Sequence, residues 1–210
     1  MNDLVAVDHP LIRHKVGLLR DVTTTTQMFR QLVNELTLLL TYEATKTLPD
    51  EEEVEIETPL ETTVARRISG KKVAVCPILR AGMGMLDGFL SLIPGARVGF
   101  IGLYRNEETL EPVEYFVKLP ADIAERDVIL LDPMLATGNS TAAAVETVKN
   151  AGASSVKLIA LIAAPEGIAR IHRDHPDVTI VVAAVDRGLN EKGYIVPGLG
   201  DAGDRLYGTK

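Results

Sequence analysis

The feature that most limits what this chain can become is a set of short apolar runs between residues 72 and 185. Residues 72–78 (KVAVCPI), 97–104 (RVGFIGLY), 127–132 (DVILLD), 155–163 (SVKLIALIA) and 178–185 (VTIVVAAV) are apolar almost without interruption. A strand with one wet face alternates polar and apolar residues, so continuous runs of this length read as strands buried on both faces. Between them, residues 82–92, 140–151 and 165–174 have helical character. Strand, helix and strand repeated in this order require crossovers that lay helices over a mainly parallel sheet. The expected fold class is α/β, a mainly parallel sheet flanked by helices.

Upstream, residues 27–46 carry Met28, Phe29, Leu32, Val33, Leu36, Leu39 and Leu40 at the spacing of a helix with one buried face, so residues 1–50 are expected to form an N-terminal helical arm. Five glutamates, Glu51, Glu52, Glu53, Glu55 and Glu57, alternate loosely with Val54 and Ile56, which reads as a solvated edge strand rather than an acidic metal cluster. Residues 106–119 are charged, lack helical periodicity and contain Pro112. A loop of that length in a compact domain is more often functional than accidental. With no repeat and no linker, residues 1–210 are expected to form one domain.

Charge and cysteine usage narrow the classes of partner. The net charge is −7 with no run of five Lys or Arg, which argues against a nucleic-acid footprint. No apolar stretch reaches membrane-spanning length, and Asp3, Asp8, His9, Arg13 and Lys15 interrupt any signal-peptide core. Cys76 is the one cysteine and lies in a buried-strand pattern, as suits a reducing compartment; a cytoplasmic protein is expected. The four histidines show no metal-ligand spacing, and no G-x-S-x-G motif supports a serine triad.

In open parallel sheets, ligands sit at the carboxyl ends of the strands. The end most suited to one here is V-I-L-L-D-P-M-L-A-T-G-N-S at 128–140, followed by a helix-forming run. Asp132 is the acidic tip, and residues 136–140 form a small-residue turn that aims backbone N–H groups and the Thr137, Ser140 and Thr141 hydroxyls at one point, where the helix dipole favours an anion. It is a phosphate cradle without lysine, and no Walker motif occurs. An ordinary turn with Asn139 or Ser140 as helix cap is the competing reading.

A second glycine pattern is misleading. Gly198, Gly200 and Gly203 fit the G-x-G-x-x-G spacing of a dinucleotide turn, but Pro197 breaks a strand leading into it and only seven residues follow Gly203. No helix is expected there, nor the second strand and acidic residue that a dinucleotide fold requires.

The sequence D-P-M-L-A-T-G at 132–138 resembles the ribose-phosphate motif of the uracil phosphoribosyltransferases. So do H-P-L-I-R-H-K at 9–15, L-V-N-E-L at 32–36, Y-E-A-T at 42–45, P-I-L-R-A-G at 77–82, G-L-Y-R-N-E-E-T-L-E-P-V-E-Y at 102–115, A-P-E-G at 164–167 and V-P-G-L-G-D-A-G-D-R at 196–205. Two departures are Asn139, where glycine is common and a left-handed residue is expected, and Arg187-Gly188 within D-R-G-L-N at 186–190. The resemblance implies transfer of phosphoribose from 5-phospho-α-D-ribose 1-diphosphate (PRPP) to N1 of uracil, with Mg²⁺ as cofactor and a homodimer or larger homo-oligomer as the assembly. It implies PRPP binding by Arg80, Arg105, Asp132, Pro133, Met134, Leu135, Ala136, Thr137, Gly138, Asn139, Ser140 and Asp201, and uracil binding by Ile195, Gly200, Asp201 and Ala202. Asp201, Arg105 and Asp132 are the implied catalytic residues, residues 103–120 the implied mobile loop, and residues 186–210 the implied base-binding tail. A pyrimidine-nucleotide-sensing regulator on the same fold, or an enzyme for another base, are the alternatives.

Overall fold

The computed structural model of the protein describes residues 3–48, 51–68, 73–105 and 112–209, and the side chains of Glu51 and Arg105 lie outside that description. The chain opens with β1 (Leu4–Ala6), α1 (Pro10–Arg20) and α2 (Thr26–Ala44). The strands β2 (Glu51–Glu57) and β3 (Thr62–Ile68) pair with each other as an antiparallel hairpin and, among the described residues, with no other strand. Then come β4 (Val73–Leu79), α3 (Met83–Leu92), β5 (Arg97–Val98), β6 (Phe100–Arg105) and β7 (Pro112–Lys118). The second half contains β8 (Asp127–Leu131), β9 (Met134–Leu135), α4 (Asn139–Asn150), β10 (Ser155–Ala163), α5 (Pro165–Asp174) and β11 (Thr179–Val185). It ends with β12 (Gly188–Leu189), β13 (Ile195–Val196) and α6 (Ala202–Tyr207).

The central sheet runs β1-β11-β10-β8-β4-β6-β7, parallel throughout except for the β6–β7 pair. Its inner strands β4, β8, β10 and β11 are buried on both faces along most of their length, as their unbroken apolar runs require, whereas the edge strands β1 and β7 are half exposed. Val73, Val75, Ile129, Leu131, Ile159 and Leu161 pack toward α1, α2 and α3. The intervening Ala74, Cys76, Val128, Leu130, Leu158 and Ala160 pack toward α4 and α5. Within this second layer the Cys76 thiol is fully enclosed, and burial pushes it up to about 12, which makes it inert at neutral pH.

Three expectations need correction. Residues 103–105 and 112–118 are strands of an antiparallel pair rather than loop, and residues 106–111 lie outside the described residues. Pro112 is tolerated as the first residue of β7, where a missing N–H costs least. The glutamate-rich strand does not edge the main sheet but belongs to its own hairpin with β3. Finally, the tail does form a helix, α6, with Asp201 as its N-cap and left-handed Gly208 (φ 68°) closing it.

Candidate active site

Because β4, β6, β8, β10 and β11 are parallel, their carboxyl ends lie on one edge of the sheet. Arg80 follows β4, Arg105 ends β6, Asp132 follows β8 and Asp186 follows β11, so the topology gathers them. The Arg105 side chain lies outside the described residues, and its backbone ends β6 at this edge.

The turn between β8 and α4 forms a cavity of about 200 Å³ lined by Asp132, Met134 and residues 136–141. Its floor is shaped by backbone. Gly138 is the residue before α4, in the left-handed region at φ 80°, and among the described residues no side chain caps the helix. Among the described residues, the side-chain acceptor recorded for the first-turn N–H groups of α4 is the Thr137 hydroxyl, which reaches the Asn139 N–H only at 3.5 Å, the limit of a hydrogen bond. Unsatisfied N–H groups at a helix start form an anion site. Neither Asn139 nor Ser140 is the cap, and Asn139 takes helical rather than left-handed geometry, so its replacement of glycine costs the turn nothing.

Pro133 and Leu135 are buried and build the turn rather than line it; the Pro133 carbonyl accepts the N–H groups of Leu161 and Ile162. Helix α5 braces the cradle from behind. A Cβ on Gly167 would collide with the Ala136 carbonyl, so the glycine of A-P-E-G permits the close approach. In the same motif, the Glu166 carboxylate accepts the Leu189 N–H at 3.1 Å and steadies β12, and a Cβ on Gly188 would come within 3.1 Å of it.

Asp132 is half-buried. Burial pushes its carboxyl up to about 6, against the opposing pull of the Thr141 hydroxyl at 3.0 Å and the Met134 N–H at 3.4 Å. The Thr141 hydroxyl is thus spent on Asp132 and is not free for a phosphate. Among the described residues no cluster of three His, Cys, Asp or Glu forms a metal cage.

The tail lines a second cavity of about 560 Å³, bordered by Arg20, Thr24, Thr26, Tyr194, Leu199, Gly200, Asp201 and Arg205. Gly200 adopts φ 82° and leaves its main chain open to the cavity. Ile195 and Ala202 are buried at 3% exposure each and do not line it. Arg205 ties the tail to α1, donating to the Leu199, Leu19 and Asp21 carbonyls, with its guanidinium stacked 4.4 Å over Phe29. The tail also meets the Arg80 turn: the Tyr207 hydroxyl donates to the Arg80 carbonyl at 2.9 Å, and Leu206 packs against Gly84, where a Cβ would lie 2.7 Å from it. Arg20, Tyr194 and Arg205 escaped the sequence reading. The one available signal was the pairing of Asp201 and Gly208 as helix cap and stop, which marks α6 and hence Arg205.

Comparison with known proteins agrees with this geometry. A family profile described as uracil phosphoribosyltransferase matches residues 6–209. A uracil phosphoribosyltransferase from Clostridium botulinum is 60% identical over 210 residues, all of both chains. The AQ2163 protein from Aquifex aeolicus superposes with a TM-score of 0.92 at 43% identity, over 97% of each chain. An adenine phosphoribosyltransferase from Thermoanaerobacter pseudethanolicus shares the fold at a TM-score of 0.52 and 12% identity, over 79% of this chain and 86% of that one. With its parallel sheet, its uncapped cradle behind Asp132 and its full-length kinship, the chain belongs to the uracil phosphoribosyltransferase family.

Proposed function

We propose that the protein transfers the phosphoribosyl group of PRPP to N1 of uracil, releasing diphosphate and forming UMP. The observation that carries this reading is the uncapped start of α4, which opens on a cavity beside a carboxylate at the strand tip. A 5′-phosphate fits the N–H groups and the Thr137 and Ser140 hydroxyls of the cradle, and the Asp132 carboxylate then stands where ribose hydroxyls lie. Arg80 and Arg105, at neighbouring strand ends, are the cations for the diphosphate. A charge-assisted hydrogen bond that strengthens as negative charge grows on the leaving group lowers the barrier rather than improving binding alone.

Mg²⁺ suits this donor set: it binds through one or two carboxylates together with substrate oxygens and keeps several waters. Asp132 would hold it, and Mg²⁺ when bound neutralises charge on the diphosphate. The base lies in the tail cavity against the main chain of Gly200 and Asp201, with Ile195 and Ala202 buried behind them. Glycine allows that approach because it has no Cβ. Asp201 faces the N1 side, where its carboxylate accepts the proton lost as the N1–C1 bond forms.

Main-chain N–H groups that face uracil O4 would meet an amino donor in cytosine, and sites that read a polar edge this way discriminate by about 10⁴–10⁵. The protein incubated with PRPP, Mg²⁺ and uracil, cytosine, hypoxanthine or xanthine in turn is expected to form nucleotide with uracil alone. Nucleotide from another base, or from none, would overturn the reading.

The assembly we assign is a homodimer or larger homo-oligomer. Its support is the β2–β3 hairpin, which exposes Leu60, Val64 and Ile68 at 95%, 62% and 57%. A two-stranded ribbon is marginal by itself and gains from burial against a second copy. Sedimentation should give at least twice the 22.7 kDa chain mass; a monomer at micromolar concentration would rule this out. Cytoplasmic location is part of the same proposal, and no helix among the described residues is long and apolar enough to cross a membrane.

A further inference from the structure

The main chain that would contact the base is preceded by Gly198, and two side chains far apart in sequence hold that residue from both of its polar ends. Asp186 is 7% exposed just after β11, and Arg20 is the last residue of α1. The two form a bidentate ion pair, with Arg20 Nη1 donating to Asp186 Oδ2 at 2.7 Å and Nη2 donating to Oδ1. Each partner also holds Gly198: its N–H donates to Asp186 Oδ2 at 2.9 Å, and its carbonyl accepts from Arg20 Nη1 at 2.7 Å. Gly198 has φ 65°, and a Cβ there would collide with the Ile195 carbonyl.

An ion pair serving only to dock α1 would be superfluous, since Ile12, Val16 and Leu19 already bury that helix against the core. Arg20 also borders the same cavity as Gly200 and Asp201. Main-chain donors and acceptors have no rotamers to adjust, so a pocket made of them is tuned only by where the loop is held. We infer that Arg20 and Asp186 are a positioning pair that fixes the Gly198 main chain and thereby sets the affinity for the base, without touching the reacting atoms.

The inference rests on the base-site reading above, and the test separates the two. Arg20→Lys keeps the charge but carries its three N–H groups on one nitrogen, so it cannot reproduce the two-nitrogen fork that spans both Asp186 oxygens while also reaching the Gly198 carbonyl. Asp186→Asn keeps the shape and removes the charge. Steady-state kinetics would be measured with uracil and PRPP varied in turn, with thermal unfolding alongside. In both variants KM for uracil is expected to rise about tenfold or more, while KM for PRPP stays within about twofold. Should Asp186→Asn fail to fold, Arg20→Lys carries the test alone.

Gly200→Ala serves as the control for the site itself. If it leaves KM for uracil unchanged, the base-site reading falls and the inference falls with it. If it raises KM for uracil but the two pair variants do not, the inference alone is overturned. A parallel rise of both KM values with a lowered unfolding temperature would mark the pair as merely structural, which also overturns it.

Discussion

Asp132→Asn should yield a protein that is more stable than the parent and nearly inactive. The Asp132 carboxyl titrates at about 6 because burial disfavours its charge, so the folded protein binds this proton more tightly than the unfolded chain. Between about pH 4 and 6 the folded state therefore holds more protons, and stability falls as pH rises. The full cost is present above pH 6 and absent below about pH 4. Two pKa units correspond to about 3 kcal/mol, and the group's partial solvent contact reduces this to about 2–3.

Asparagine at 132 has no charge to bury. In metal-free buffer at pH 7.5 the variant should unfold about 4–12 °C higher than the parent, given about 2–4 °C per kcal/mol for a chain of this size. That advantage should shrink toward zero as pH falls to 4. Turnover should drop about 10²-fold or more, since the carboxylate assigned to the ribose and Mg²⁺ is gone. An unfolding temperature that does not change, or a gain that is equal at pH 4 and 7.5, would contradict the burial argument; unchanged turnover would contradict the assigned role.

The second large effect concerns Asp201, whose Oδ1 accepts the Asp204 N–H at 2.9 Å and caps α6. Alanine at this position would confound two losses, because removing an N-cap costs about 1 kcal/mol by itself. Asparagine caps a helix as well as aspartate does but cannot take a proton. Asp201→Asn is expected to keep the parent's unfolding temperature and lose about 10²-fold or more in kcat, matching general-base assistance. If Asp201→Asn turns over like the parent while Asp201→Ala does not, the residue matters as a cap rather than as a base.

Much of the architecture was legible because strands buried on both faces leave a signal that survives in one sequence. Residues 127–132 and 155–163 read as strands because either face offered only apolar surroundings. The turn at residues 136–140 was legible as well, since small residues between such a strand and a helix left only a tight, backbone-lined turn or an ordinary helix cap to choose between. What escaped was either short or long-range. Helix α6 has six residues and too few turns to show periodicity, although its cap and its glycine stop were present. Strand β7 was obscured by Pro112 and by Glu114 on a half-solvated hairpin. The Arg20–Asp186 contact spans 166 residues of sequence, and no local pattern encodes it.

Asn139 shows how a correct motif can hide a wrong local expectation. The left-handed position demanded by the turn belongs to Gly138, one residue earlier, so the substitution that drew notice in the sequence sits where any helix-compatible residue serves.

The division of labour between the two glycine-containing segments can be tested directly by determining the structure of the protein with UMP bound. We expect the 5′-phosphate on the N–H groups and hydroxyls of residues 136–140 and the pyrimidine ring against the main chain of Gly200 and Asp201. A phosphate seated instead on the Gly198, Gly200 and Gly203 segment, with the cradle of α4 left to solvent, would contradict that division.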